Sequence, residues 1–151
     1  MNLTENPETV HWPLTHYAFF EATGPFSDSA WKLWTELHGL VPQIESHNTI
    51  AAYVSLYKPE EQIYRAGVAL AAPPAMLPAG MQSIEFPGGS YAKFVLRGSY
   101  ADLPEATSRA FDVVAERAIA LRDDFCIEHY VTDPRTTPEA EAITEILLPL
   151  R

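Results

Sequence analysis

Ala18-Phe19-Phe20-Glu21-Ala22-Thr23-Gly24-Pro25-Phe26-Ser27-Asp28 (AFFEATGPFSD) recurs as Ala92-Lys93-Phe94-Val95-Leu96-Arg97-Gly98-Ser99-Tyr100-Ala101-Asp102 (AKFVLRGSYAD), 74 positions later. Ala, Phe, Gly, an aromatic residue and Asp fall at matching places. Each copy reads as a strand, a glycine turn, and a Ser or Asp placed to cap a helix. Internal repetition of this kind decides the architecture before any single element does.

The parallel continues outward. Thr49 to Tyr57 is a strand pattern stopped by Lys58-Pro59, and Phe125 to Thr132 is one stopped by Asp133-Pro134, the prolines lying 75 positions apart. Ile63 to Leu70 precedes Pro73-Pro74, and Ala142 to Leu148 precedes Pro149. Each half therefore reads strand, helix, strand, strand. The first helix is expected from Ser27 to about Leu40, with Ala30, Leu33, Trp34, Leu37 and Val41 near one face and Gly39 and Pro42 ending it. The second is expected from about Leu103 to Ala120, with Asp102 as cap and Pro104 in the first turn. Gln82 to Phe86 reads as an extra strand turned through Pro87-Gly88-Gly89 into a hairpin with Ser90 to Arg97.

The expected fold is α+β. It is a tandem strand-helix-strand-strand repeat with pseudo-twofold symmetry, an antiparallel sheet carrying two helices. The halves are about 15–73 and 81–150, joined by the proline-rich Ala71 to Gly80. Neither half has enough strands to bury a sheet alone, so 1–151 is expected to be a single domain.

Composition narrows the function. Apolar residues make up 47% of the chain, which suits a globular core rather than a disordered segment. The net charge of -10 repels phosphate backbones and anionic membranes, arguing against direct nucleic-acid or membrane partners. No apolar run reaches spanning length, and the N-terminus lacks a basic region followed by an apolar one, so a cytoplasmic location is expected. Cys126 is the sole cysteine, and His11, His16, His38, His47 and His129 show no ligand spacing, so no metal or other cofactor is expected. Ser29-Ala30-Trp31-Lys32 fits an SxxK pattern without its companion motifs.

Tyr91-Ala92-x-Phe94-x-x-x-Gly98-x-Tyr100-x-x-Leu103-Pro104, then Glu128-x-Tyr130-x-x-Asp133-Pro134, then Thr144-Glu145-Ile146-x-x-Pro149-Leu150, resembles the GyrI-like (gyrase-inhibitor-like) effector-binding domain. The likeness covers nearly the whole chain and is strongest from Gly89 onward. It implies a tandem repeat around a cleft that takes apolar, often cationic, small molecules, as in AraC-type and MerR-type regulators. It also implies a cleft glutamate, which by motif is Glu128. The family includes a gyrase-binding protein and hydrolases that open cyclopropane rings. No helix-turn-helix sequence precedes Thr15, so a standalone protein is expected, or one working through another protein.

The repeat gives an independent reason to single out Glu128. At an offset of 75 it maps onto Tyr53, Tyr130 onto Ser55, and Thr132 onto Tyr57. Strand alternation places Glu128 with Cys126, Tyr130 and Thr132, and His129 on the opposite face. Two equivalent strand faces turned to one cleft would line it with Tyr53 and Tyr57, Glu128 and Tyr130. Aromatic faces and a desolvated carboxylate both attract cations, and burial raises a carboxylate's pKa toward acid–base use. Trp31, off the main helical stripe, is a further candidate at the cleft edge. Trp34 reads as core, and Tyr64 and Tyr91 as sheet packing. Glu145 is a second strand carboxylate that reads as an ion-pair or solvated residue. The first expectation is a binding module for small hydrophobic or cationic molecules. The alternatives are a hydrolase in which Glu128 activates water, and a protein-interaction role such as gyrase modulation.

Overall fold

The structure, a computed structural model, describes residues 1–151. It is α+β. The strands are β1 (Asn2–Leu3), β2 (Glu8–Trp12), β3 (Thr15–Thr23), β4 (Ile50–Lys58), β5 (Ile63–Leu70), β6 (Gln82–Phe86), β7 (Gly89–Arg97), β8 (Cys126–Tyr130) and β9 (Ile143–Pro149). The helices are α1 (Phe26–Glu45) and α2 (Leu103–Glu116), with 3-10 turns at Tyr100–Asp102 and Glu139–Glu141. The residues fall into two compact units: Pro13–Gly88, and Met1–Trp12 with Gly89–Arg151.

In the unit Pro13–Gly88 the strand order is β4-β5-β3-β6, antiparallel in register Tyr53↔Val68, Ser55↔Ala66, Tyr57↔Tyr64 and Phe20↔Ala66. α1 lays Leu37 and Ile44 onto Ala18, Phe20, Val68 and Leu70, with Leu33, Trp34, Leu40 and Tyr53 alongside. Each fully buried aliphatic side chain contributes about 1.5–3 kcal/mol. That burial explains why α1 runs past both Gly39 and Pro42, which were expected to stop it. Pro42 forfeits one backbone donor, but Val41 and Ile44 stay buried and hold the last turn in place. Ser27 and Asp28 lie inside the first turn, so neither caps. The N-cap is Pro25, whose own φ of -58° suits a helix start.

The other unit orders its strands β8-β9-β7, with β1 and β2 both pairing on the far side of β7. α2 buries Ala106, Ala110, Val113 and Val114. It stops four residues short of the expected Ala120, because Ala118 turns to φ +53° and Ile119 bonds back to the Val114 carbonyl. Asp102 starts α2 without a side-chain cap, and Ser99 instead accepts from the Ala101 N–H. β8 is shorter than its apolar run. Thr132 lies beyond it, its hydroxyl accepting from the Ile143 N–H.

The expected hairpin of Gln82–Phe86 with Ser90–Arg97 does not form. β6 pairs with β3, Thr15↔Phe86 through Phe19↔Gln82. β2, which was not expected, takes the corresponding place beside β7, Glu8↔Lys93 through Trp12↔Gly89. β2 and β6 are themselves 74 positions apart, each followed by a proline, Pro13 or Pro87. The proline explains the pairing. A two-residue hairpin needs positive φ, or glycine, at its first loop position, and proline fixes φ near -65° there. Each unit is thus completed by the leading strand of the other repeat.

The repeat holds in detail. Gly24 and Gly98 have φ of +111° and +126°, a region costly for any side chain. Their N–H groups donate to equivalent carbonyls, Gln62 before β5 and Ala142 before β9.

Candidate ligand-binding residues

Glu128 and Tyr130 share one face of β8, as strand alternation requires, and the Tyr130 hydroxyl donates to Glu128 Oε1 at 2.8 Å. Both are half-buried. Glu128 stands across from Ile146 and Tyr130 across from Thr144 on β9. α2 brings Thr107 to the same carboxylate. Its hydroxyl favours the charged form without completing a well-formed hydrogen bond. The Tyr100 ring meets Tyr130 edge-on, centroids 6.2 Å apart. Burial pushes the Glu128 pKa above the ordinary carboxylate range, outweighing the opposing effect of the two hydroxyls. No cation contributes. By contrast Glu21 pairs with Arg65, Asp124 with Arg122, and Glu145 with His129 and Lys93.

Tyr53 and Tyr57 lie on one face of β4, the α1 side, in the other unit. Tyr57 is buried and Tyr53 half-buried. Tyr57 belongs to a ring cluster with Phe26 at 5.9 Å and Tyr64 at 6.5 Å, and Phe26 is 5.3 Å from Tyr64. Tyr53 faces His38 at 5.8 Å, and His38 faces Trp34 at 5.7 Å. Polar atoms thread the cluster. Trp34 Nε1 donates to the Tyr64 hydroxyl at 2.8 Å, and that hydroxyl lies 2.7 Å from Ser55 Oγ. Trp34, read from helical spacing as plain core, and Tyr64, read as sheet packing, are therefore joined to the tyrosine face. Phe26 was not singled out from the sequence. Its signal was available, since it is the repeat partner of Tyr100, and each ring stands edge-on to a strand tyrosine.

Trp31 is 71% exposed. His129 points to the face opposite Glu128, where its Nδ1 lies 2.8 Å from Glu145 Oε1 and its ring meets Trp12. Hydrogen bonding to His129 holds the Glu145 carboxyl below its ordinary range. Cys126 is buried, its thiol pushed up to about 12 by desolvation, which leaves it unreactive. No three His, Cys, Asp or Glu side chains are grouped to hold a metal ion. No helix is long and apolar enough to cross a membrane. A shallow groove beside α1, lined by Thr35, Glu36, Gly39, Leu40, Gln43, Pro78 and Ala79, includes none of these residues.

Residues 5–151 match the GyrI-like small molecule binding domain. The chain belongs to the GyrI-like family. Solved structures of the same fold share little sequence with this GyrI-like chain. The EcmrR C-terminal domain is 18% identical with a TM-score of 0.78, the match covering 100% of this chain and 99% of that one. The chain spans 57% of the EcmrR chain solved with DNA, at 17% identity and TM-score 0.78. SAV2435, solved bound to tetraphenylphosphonium, is 13% identical with a TM-score of 0.75, covering 96% of this chain and 93% of that one. A hydrolase from Listeria innocua is 10% identical with a TM-score of 0.63, covering 98% and 93%. No curated protein matches this GyrI-like chain in sequence.

Within the GyrI-like fold the two units offer different chemistry. One presents a carboxylate with hydroxyls around it. The other presents stacked and edge-on rings tied by an indole–phenol–hydroxyl chain.

Proposed function

We propose that the chain binds apolar or aromatic small molecules carrying positive charge, with Glu128 reading the charge beside Tyr130, and with Tyr53 and Tyr57 as aromatic faces of their own unit. One observation carries this reading. Glu128 is a desolvated carboxylate with no cation of its own, whereas the half-buried Asp124 and Glu145 of the same unit are paired. A buried carboxylate of that kind is costly to ionise alone and gains most from a cation that brings little water with it. A phosphonium or ammonium wrapped in hydrocarbon meets that description, and it favours aromatic faces as well. Tetraphenylphosphonium, bound by the similarly folded SAV2435, is therefore the first probe.

Calorimetry with tetraphenylphosphonium should show binding that Glu128→Gln weakens by roughly tenfold or more, the scale of losing one desolvated charge interaction. Affinity should also fall as pH drops through the raised Glu128 pKa, because protonation removes the charge. Equal affinity for wild type and Glu128→Gln would sink the reading.

A second reading rests on the same pair. A carboxyl with raised pKa, 2.8 Å from a phenol, suits general acid–base work on a strained or activated bond. It is separated from the first by turnover: product formation that disappears in Glu128→Gln, on a substrate that the wild type consumes, would make the protein a hydrolase.

A further inference from the structure

Two threonine hydroxyls share the side of the sheet that carries Glu128, and neither completes a hydrogen bond. Thr107 Oγ1, on α2, is buried next to the carboxylate. Thr144 Oγ1, on β9, is buried in a residue with no exposed surface, directly across from Tyr130. Buried polar atoms are ordinarily bonded, so two such hydroxyls, one beside the carboxylate and one across from the Tyr130 that donates to it, leave capacity for a partner of particular chemistry. A carboxylate only accepts. A hydroxyl donates once and accepts with two lone pairs. If the hydroxyl hydrogens turn toward the carboxylate, the group presents oxygen lone pairs and negative charge, and what it lacks is a donor.

We infer that this cluster is a seat for a protonated primary or secondary amine, whose N–H groups are taken by Glu128, Thr107 and Thr144, in preference to a quaternary cation. The inference rests on the reading of Glu128 as a cation-binding carboxylate and adds a specificity to it. A quaternary ammonium or a phosphonium satisfies the charge but has no N–H, so it leaves both threonine oxygens without partners. A protonated amine of the same hydrocarbon skeleton satisfies both. The raised pKa of Glu128 fits the same picture, since an arriving ammonium would restore the charge that burial disfavours.

The test compares 4-phenylbutylamine with its N,N,N-trimethyl derivative by calorimetry at a pH where Glu128 is ionised and the amine protonated. Wild type should bind the amine roughly tenfold more tightly or better, the scale of a charge-assisted hydrogen bond. Thr107→Val with Thr144→Val keeps the side-chain shape and should bring the ratio close to one, the amine losing more affinity than the trimethyl derivative. Thr107→Ser with Thr144→Ser keeps the hydroxyls and should keep the preference, which separates lost chemistry from lost folding. Glu128→Gln should weaken both probes. A trimethyl derivative bound as tightly as the amine, or a ratio unmoved in the valine variant, overturns the seat while leaving the charge-reading role of Glu128 standing. Glu128→Gln without effect on either probe overturns that role, and the seat with it.

Discussion

The unit Pro13–Gly88 and the unit completed by Gly89–Arg151 follow one plan and fill it with opposite chemistry. Strand register sets Ser55 where the other unit has Glu128 and Tyr57 where it has Tyr130, two residues from the match that an offset of 75 suggested, while Leu33 stands where it has Thr107 and Phe26 where it has Tyr100. The shared parts are those that set the backbone: the glycines at positive φ, the edge-on ring after each, the proline after each leading strand. The parts that differ lie where helix meets strands in each unit. Duplication thus fixed where side chains stand, while substitution decided that one unit offers rings and the other offers charge.

A second contrast lies on the opposite faces. Tyr17 and Tyr91 are repeat partners, both fully buried, and each donates its hydroxyl to a backbone carbonyl, Val54 for Tyr17 and Phe125 for Tyr91. Tyr17 lies flat against Gly67, where a Cβ would sit 2.5 Å from both the Ala18 carbonyl oxygen and the Tyr17 ring. By strand register, Gly67 across from Val54 and Phe19 corresponds to Leu147 across from Ile127 and Lys93. There Tyr91 sits under the Arg122 guanidinium instead. The same tyrosine is therefore accommodated by an absent side chain in one unit and a charged one in the other.

The largest expected effect breaks this asymmetry. Gly67→Ala has no room in Tyr17's unit and should cost about 3 kcal/mol or more by chemical denaturation. A loss below about 1 kcal/mol would mean that Tyr17 moves away easily and that the contrast is superficial. Next is Tyr64→Phe, which leaves Trp34 Nε1 and Ser55 Oγ without their shared hydroxyl and should cost about 1–3 kcal/mol. An unchanged midpoint would reduce the polar chain in the ring cluster to an incidental contact.

Glu128→Gln sharpens the comparison in the other unit through pH. Because burial holds the folded pKa above the unfolded one, the folded state binds the proton more tightly. Stability is thus greatest below the unfolded pKa and falls as pH rises through the folded one. Glutamine removes that fall, so without ligand the variant should melt higher than wild type at pH 8 and lose the advantage near pH 4. A variant that melts lower at pH 8 would mean that the carboxylate is structurally satisfied and is not held ready for a cation. The smallest effect belongs to Trp31→Ala. A ring 71% exposed should change stability by less than about 0.5 kcal/mol, and ligand affinity by less than any of the tyrosines on β4.

Much of this was legible in the chain alone. The repeat placed β3 to β5 and β7 to β9 with their helices, because strands and helices leave periods of two and about 3.6 in local sequence and glycine and proline mark the breaks. It also put Glu128 and Tyr130 on one face and His129 on the other, since alternation is a property of a strand by itself. What the tertiary structure decided is everything that depends on neighbours distant in sequence. β6 joins β3 and β2 joins β7 because pairing partners are chosen among all available edges, with Pro13 and Pro87 closing off the local choice. α1 survives Gly39 and Pro42 because burial of Val41 and Ile44 outweighs weak local propensity. Glu128 lacks a cation, and Thr107 and Thr144 lack partners, because desolvation and hydrogen bonding are set by what packs around an atom, which no local pattern records.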